Sequence, residues 1–321
     1  MKPSRCVAVL FVSVFLAAVN AATNRLDPVE LRWLESSPPT IETGVSWGVP
    51  WPKGAVSKTE SFSLTTRDGT AVPLQTWPLA YWPDGSLKWS GFATVVGSGD
   101  SGPFSLIPGA PPTTAAAALR VRESDTTIEI DTGKLKCRVL KWGGTLIETL
   151  SVDGREVARR GELVCILQNG PDGDVDEAPR RERFTSKLTK VTVEKSGPVR
   201  GVLKLEGVHR AASTGREWLP FVVRLYFFAG QQSLRLVHTI IYDGDDQRDF
   251  IRGLGLEFAV PMREEVQNRH VRFSGENGGL WSEPIQPMVG RGGRFVTHPD
   301  GGQNVLHAGE AVLRASGKIL A

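Results

Sequence analysis

The chain has 321 residues, with 38 Lys and Arg against 35 Asp and Glu, a formal charge of +3, and 40% hydrophobic residues. That length holds two ordinary domains, and the composition is that of a globular chain rather than a disordered or fibrous one. The near balance of charge gives no electrostatic footprint for nucleic acid or for an anionic membrane surface, so an acidic partner must find a local basic site.

The first residues have a secretory layout. Lys2 and Arg5 precede an apolar run over residues 7–19, followed by the small residues Ala21 and Ala22. A run of about 13 residues fits a signal peptide and falls short of the roughly 20 of a membrane span. The expected mature protein begins after Ala21, is secreted and extracellular, carries no membrane anchor, and retains 36 basic and 35 acidic residues. It keeps Cys137 and Cys165. In an oxidising compartment these two can pair, or both can be small buried hydrophobes, since Cys137 alternates with Leu135 and Val139 and Cys165 lies within an apolar run.

Beyond a short stretch at 27–35 that reads as a turn of helix, helical periodicity is nearly missing and strand patterns dominate. Residues 61–65 lead into a turn at Arg67-Asp68-Gly69. Leu87, Trp89, Gly91, Ala93 and Val95 alternate with Lys88, Ser90, Phe92 and Thr94, which places Trp89 with the core set and Lys88 on the opposite face. Between these lies Trp77-Pro78-Leu79-Ala80-Tyr81-Trp82-Pro83-Asp84-Gly85-Ser86-Leu87-Lys88-Trp89-Ser90, with three tryptophans, a tyrosine and a Pro-Asp-Gly turn. So many stiff rings beside a turn imply either a small barrel core or a surface on which sugar rings stack. Trp82, next to Pro83, is the ring expected to be most open to solvent, and Lys88 is placed to meet an anionic ligand.

From 97 to 118 the chain is rich in Gly, Ser, Pro and Ala, and the boundary between a first domain (22–118) and a second (119–321) is expected there. Gly97-Ser98-Gly99-Asp100-Ser101-Gly102 has the spacing of a dinucleotide fingerprint, but Pro103 and Pro108 deny it the helix that must open next. Strand patterns resume at 127–131, 134–140, 146–152, 188–194 and 199–206. The strongest hairpin joins 221–228 to 233–242 through Ala229-Gly230-Gln231-Gln232, apolar enough on both parities to sit inside a large sandwich. A further strand follows at 253–261, then a glycine-rich basic loop at 290–302 and one more candidate strand at the end.

Polar motifs give little chemistry. Asp172, Asp174 and Asp176 alternate as at the start of a calcium loop, but Glu177 and Arg183 stand where the turn glycine and the bidentate glutamate belong, so a solvated acidic loop is the better reading. The five histidines show no metal-ligand spacing, and His238, sharing parity with Leu236 and Ile240, reads as a satisfied core histidine. No metal and no cofactor is expected, and no acyl-transfer nucleophile signature is present. In Asp243-Gly244-Asp245-Asp246-Gln247-Arg248-Asp249, Arg248 is placed either to grip a uronate carboxylate or to neutralise its own neighbours.

The tryptophan-rich segment, with Gly48-Val49-Pro50-Trp51-Pro52-Lys53-Gly54 and Pro73-Leu74-Gln75, resembles the opening domain of the exo-rhamnogalacturonan lyases of polysaccharide lyase family 26 and their YetA-like relatives. The likeness continues through Leu236-Val237-His238-Thr239-Ile240-Ile241-Tyr242-Asp243-Gly244-Asp245 and Gly275-Glu276-Asn277-Gly278-Gly279-Leu280-Trp281-Ser282-Glu283-Pro284. It implies an all-β chain, a RIFT-type β-barrel followed by an antiparallel β-sandwich that is incomplete here, with a C-terminal α/α toroid lying beyond the chain. It also implies β-elimination on galacturonate of rhamnogalacturonan I, with an acidic polysaccharide as partner. Trp82, Lys88 and Arg248 are the candidate substrate-binding residues, and no catalytic residue is assigned. The alternatives are a non-catalytic carbohydrate-binding or scaffolding protein, and an inert fragment with an open sheet edge.

Overall fold

The structure, a computed structural model, describes residues 26–34, 37–111, 119–170, 179–265, 268–274, 280–284, 306–307 and 310–313. Among them there is no α-helix; the chain is all-β. The expected signal segment, the 172–177 acidic loop and the 290–302 basic loop lie outside the described residues.

Seven strands build the first domain: β1 (Val29–Leu31), β2 (Thr43–Pro50), β3 (Phe62–Thr65), β4 (Ala71–Val72), β5 (Gln75–Tyr81), β6 (Leu87–Val96) and β7 (Phe104–Pro108). They form two small sheets, β1-β7-β3-β4 and β2-β6-β5, closed around one core. Its centre is aromatic. Trp51 stacks on Phe62 at 5.4 Å, Phe62 meets Phe92 edge-on at 5.1 Å, and Trp47 stacks on Phe92 at 5.7 Å. Large rings let few residues fill a small barrel, and the Trp51 indole N–H finds its partner in Ser90 Oγ at 3.0 Å.

Three local expectations are corrected. The 27–35 stretch contains β1, because pairing with β7 satisfies backbone groups that one isolated helical turn leaves open. The proline-rich 97–118 segment is not all linker. Phe104, Leu106 and Pro108 alternate inward and make β7 an inner strand of its sheet, with the prolines at its ends where a missing N–H is tolerated. In β6 the core set is Ser90, Phe92, Thr94 and Val96, and Trp89 is 41% exposed. The burial phase breaks between Leu87 and Ser90, opposite register shifts in β5 beyond Pro78, and a bulge of that kind sends every following side chain to the other face.

The second domain begins at β8 (Arg120–Glu123) and continues through β9 (Thr127–Asp131), β10 (Leu135–Leu140), β11 (Ile147–Val152), β12 (Arg155–Gln168), β13 (Arg181–Ser196), β14 (Arg200–Ala211), β15 (Glu217–Phe228), β16 (Leu234–Ile240) and β17 (Phe250–Pro261). One antiparallel ladder runs from β16 to β8, and β17 pairs with β12 over Arg159 to Gln168. β12 pairs with β11 through its first half and with β13 through its last residues, so the sheet folds over on it. The two halves face each other. Ile128, Ile130, Leu135, Cys137 and Val139 pack against Leu203, Leu205, Phe221, Val223, Leu225 and Phe227 in one buried cluster. From Leu219 onward inward and outward residues alternate along β15, which fixes its register against slippage. The 221–228 hairpin is formed as expected, with Phe227 opposite Leu234. Late in the chain, β18 (His270–Ser274) pairs with β19 (Leu280–Pro284), and β20 (Leu306–His307) with β21 (Glu310–Leu313), which also pairs with β17.

Cys137 and Cys165 are both free and buried, in separate clusters. Burial raises both thiols, Cys165 to about 12 and Cys137 further, so the hydrophobic reading of the pair holds and neither is a nucleophile at neutral pH.

Candidate functional site

The outer face of β2-β6-β5 carries the exposed rings. Gly48 and Gly91 are paired across β2 and β6, and Gly91 faces Trp77 of β5. A Cβ on Gly91 would lie 2.4 Å from the Trp77 ring, and one on Gly48 would lie 2.2 Å from Trp89 Nε1. The two indoles are thus bedded on side-chain-free backbone and held flat against the sheet. Tyr81 (51% exposed) and Leu79 (55%) extend the apolar surface along the edge strand.

Trp82 and Lys88 are brought together, the ammonium 4.7 Å from the ring centroid. Trp82 is half-buried, with its N–H donating to Trp51 O at 3.0 Å, so it is pinned beside its turn, and within the tryptophan-rich segment Tyr81 and Trp89 are the more open rings. The turn is the one the sequence prescribes. Gly85 has φ 84°, and Asp84 accepts from the Ser86 N–H at 3.0 Å and Ser86 Oγ at 2.6 Å, bonds that hold its carboxyl below the usual aspartate range.

The barrel meets the sandwich along the same face. Gln75, buried, accepts at Oε1 from the Val199 N–H (2.9 Å) and the Arg200 N–H (2.6 Å). Phe228 lies where a side chain on Gly44 would stand, and Gln231 donates to Glu42 at 3.2 Å. Arg200 extends from this seam between two rings, its guanidinium carbon 5.2 Å from Trp77 and 4.9 Å from Tyr226. Lys195 Nζ also lies over Trp77, 5.2 Å from its centroid, and Arg235 lies 6.0 Å over Tyr226. Sequence reasoning missed these four sandwich residues. They are scattered between 195 and 235, and only the register of four strands assembles them.

Arg248 is in the other domain's far loop, beyond the end of β16 opposite Arg235. Its side chain is 82% exposed and reaches Asp245 at 3.9 Å, as in the reading in which it neutralises its neighbours. The loop is organised by Asp249, which accepts from Arg216 Nη2 at 2.7 Å and the Asp245 N–H at 2.9 Å, and by Asp243, which accepts from the Leu219 N–H at 2.8 Å. The Arg216 bond holds the Asp249 carboxyl below its usual range.

His238 is not a satisfied core histidine. Its Nε2 is buried with no hydrogen-bond partner among the described residues, as is Nε2 of His209, whose Nδ1 lies 2.7 Å from Leu219 O. The rings are 5.8 Å apart. Burial, then the neighbouring His209, lower His238 to about 4, so both rings are neutral at pH 7. Among the described residues no group of three or more metal-ligating side chains converges. A cavity of about 80 Å3 on the outer face of β8–β10, lined by Arg120 and Arg122 among others, is well below the few hundred Å3 of an enclosing ligand site. The aromatic face is by contrast an open platform.

Two family models match this pair of domains in order: the PcRGLX-like N-terminal RIFT barrel domain over residues 27–109, and the PcRGLX-like protein central beta sandwich domain over residues 119–309. The chain belongs to the PcRGLX-like family. A relative from Bacillus subtilis (strain 168), described as the uncharacterized protein YetA, is 38% identical over 257 residues, which is 80% of this PcRGLX-like chain and 30% of YetA. The chain therefore spans about a third of the length of the curated relative it matches.

Proposed function

We propose that this chain is the N-terminal part of a secreted polysaccharide lyase similar to the exo-rhamnogalacturonan lyases, which cleaves at galacturonate of rhamnogalacturonan I by β-elimination. The observation that carries the reading is the pair of indoles bedded on Gly48 and Gly91, a flat stacking surface of the kind sugar rings use, in a chain of PcRGLX-like domain order. In such a reaction a base removes the proton at C5 of the uronate, a cation steadies the enolate-like carboxylate, and the C4 oxygen leaves with its bonding pair. Secretion is supported by the charge and apolar layout of residues 2–22.

The open geometry of the face also suits a second reading, a secreted carbohydrate-binding protein without catalysis. One set of measurements separates them. The protein is expected in the medium beginning at Ala22, binding rhamnogalacturonan I fragments, with Trp89→Ala weakening that binding about five- to tenfold. Ultraviolet absorbance of new unsaturated uronate ends, from the chain or from the longer protein that contains it, supports the lyase. Binding without that absorbance supports the second reading. No binding of any fragment overturns both.

A further inference from the structure

We infer that the seam between barrel and sandwich holds a carboxylate-binding subsite for an acidic oligosaccharide, formed by Lys195, Arg200, Tyr226 and Arg235 with Trp77 as its stacking wall. This rests on the glycan reading above and adds to it where the uronate sits.

The register makes the assembly. Lys195 pairs with Val202, Val202 with Tyr226, and Tyr226 with Arg235, so one residue from each of β13, β14, β15 and β16 stands in a single row, in which Val202 is buried and Lys195, Tyr226 and Arg235 reach the surface. At about 4.8 Å between strands the row spans roughly 14 Å, enough for a short oligosaccharide lying across the strands. Arg200, two residues before Val202 on the same face, fills the gap towards the barrel. Its backbone is fixed by Gln75, and its planar head is held between two rings.

The electrostatics of this row are unfinished. Three other cations on the outer face have acids: Arg224 meets Glu194 at 2.9 and 3.1 Å, Lys204 meets Glu206 at 2.7 Å, and Lys187 meets Glu217 at 2.5 Å. Lys195, Arg200 and Arg235 form no ion pair with any described carboxylate, and Glu194, the nearest acid to enter the field of Arg200, is engaged by Arg224. Arg200 Nε is buried without a hydrogen-bond partner. Burial weakens the hold of Arg200 on its proton, an effect that Tyr226 and Glu194 partly offset and Arg235 adds to. Ring faces compensate part of this, but cation–π contact leaves the in-plane N–H donors unmet. A carboxylate accepts bidentately from a guanidinium fork, and Arg235, the exposed member of the row, presents one that a ligand can reach. A purely structural clamp is the competing role, yet Gln75 and the Phe228 contact at Gly44 already fasten the seam without any charge.

The test measures affinity of the full 321-residue protein for galacturonate-containing rhamnogalacturonan oligosaccharides and for the same oligosaccharides with their carboxyls reduced to alcohols. Arg235→Gln and Lys195→Gln are expected each to weaken binding of the acidic form about tenfold while leaving the reduced form unchanged, and Lys187→Gln, on the same face but paired with Glu217 at the far end of β13, to leave both unchanged. Circular dichroism and thermal unfolding of each variant check that the fold is intact. Equal affinity of wild type for acidic and reduced oligosaccharides, or variants that bind the acidic form like wild type, overturns the subsite while the glycan reading stands. Binding of neither form overturns that reading, and the subsite with it.

Discussion

Arg200 and Arg216 sit at opposite ends of the same sheet in nearly the same arrangement, and they are finished differently. Each places its guanidinium over an indole, Arg200 at 5.2 Å from Trp77 and Arg216 at 5.8 Å from Trp218. Arg216 also has the Asp249 carboxylate at 2.7 Å, and that bond strengthens its hold on its proton. Arg200 forms no ion pair with a described carboxylate, and its hold is weakened by burial. The chain thus builds a complete Arg–Trp–carboxylate unit where the job is to anchor a loop. At the seam it builds the same unit without the carboxylate. An anion supplied from outside completes the second to match the first.

The largest way to break this contrast is at Gln75. One side-chain oxygen satisfies two buried N–H groups, Val199 and Arg200, and leucine in its place would leave both without an acceptor. At about 1–3 kcal/mol for each buried unsatisfied donor, Gln75→Leu should lower stability by about 3 kcal/mol. Hydrogen exchange should locate the loss, with the Val199 and Arg200 amides accelerated and the Leu219 amide, which donates to Asp243 at the far end, unchanged. Equal acceleration at both ends would mean that the seam is not a separate unit.

The two ends also differ in how far the sequence discloses them. The far end is local. Asp243, Asp245, Arg248 and Asp249 fall within seven residues, and their density marks a polar turn by inspection. The seam is legible only in part. Gln75 and Trp77 stand in a segment whose aromatic density draws attention, but Lys195, Arg200, Tyr226 and Arg235 are divided between two hairpins, and simple alternation sets Lys195 with the inward Val191 and Val193. Placing them in one row requires the shifts in register between Leu188 and Lys190 and between Val193 and Lys195, which no local pattern encodes. The same limit explains Trp89: simple alternation carries it into the core, and the irregularity beside Pro78 brings it out. Fold class was readable because period-two patterning and turn residues recur along most of the chain.

A smaller effect should come from making the far end resemble the seam. Asp249→Ala removes the partner of Arg216 and the acceptor of the Asp245 N–H. Arg216 is 41% exposed and can rehydrate, so the loss is set well below that of a fully buried pair, at about 2 kcal/mol by urea unfolding. Affinity for an acidic oligosaccharide at the seam should not change. A fall in that affinity would show the two ends to be coupled through β16.

The smallest effect tests the inner side of the same strands, where His209 and His238 meet between the two ends. His238 has a native value of about 4, against about 6.5 for a histidine in an unfolded chain. Above about pH 6.5 it is neutral in both states. Between there and about pH 4 the unfolded chain takes up a proton that the native state refuses, so stability falls as pH falls, and below about pH 4 both states are protonated and this loss stops growing. Because the ring is only partly buried, solvent screening reduces the full linkage to about 1 kcal/mol. Urea midpoints measured from about pH 7 to pH 4 should therefore drop less for His238→Phe than for the wild-type protein, by about that amount. Parallel profiles would mean that the ring's orphaned Nε2 is solvated in solution, and Asp249 could not account for a fall in that window, since its lowered carboxyl loses its contribution only below about pH 4.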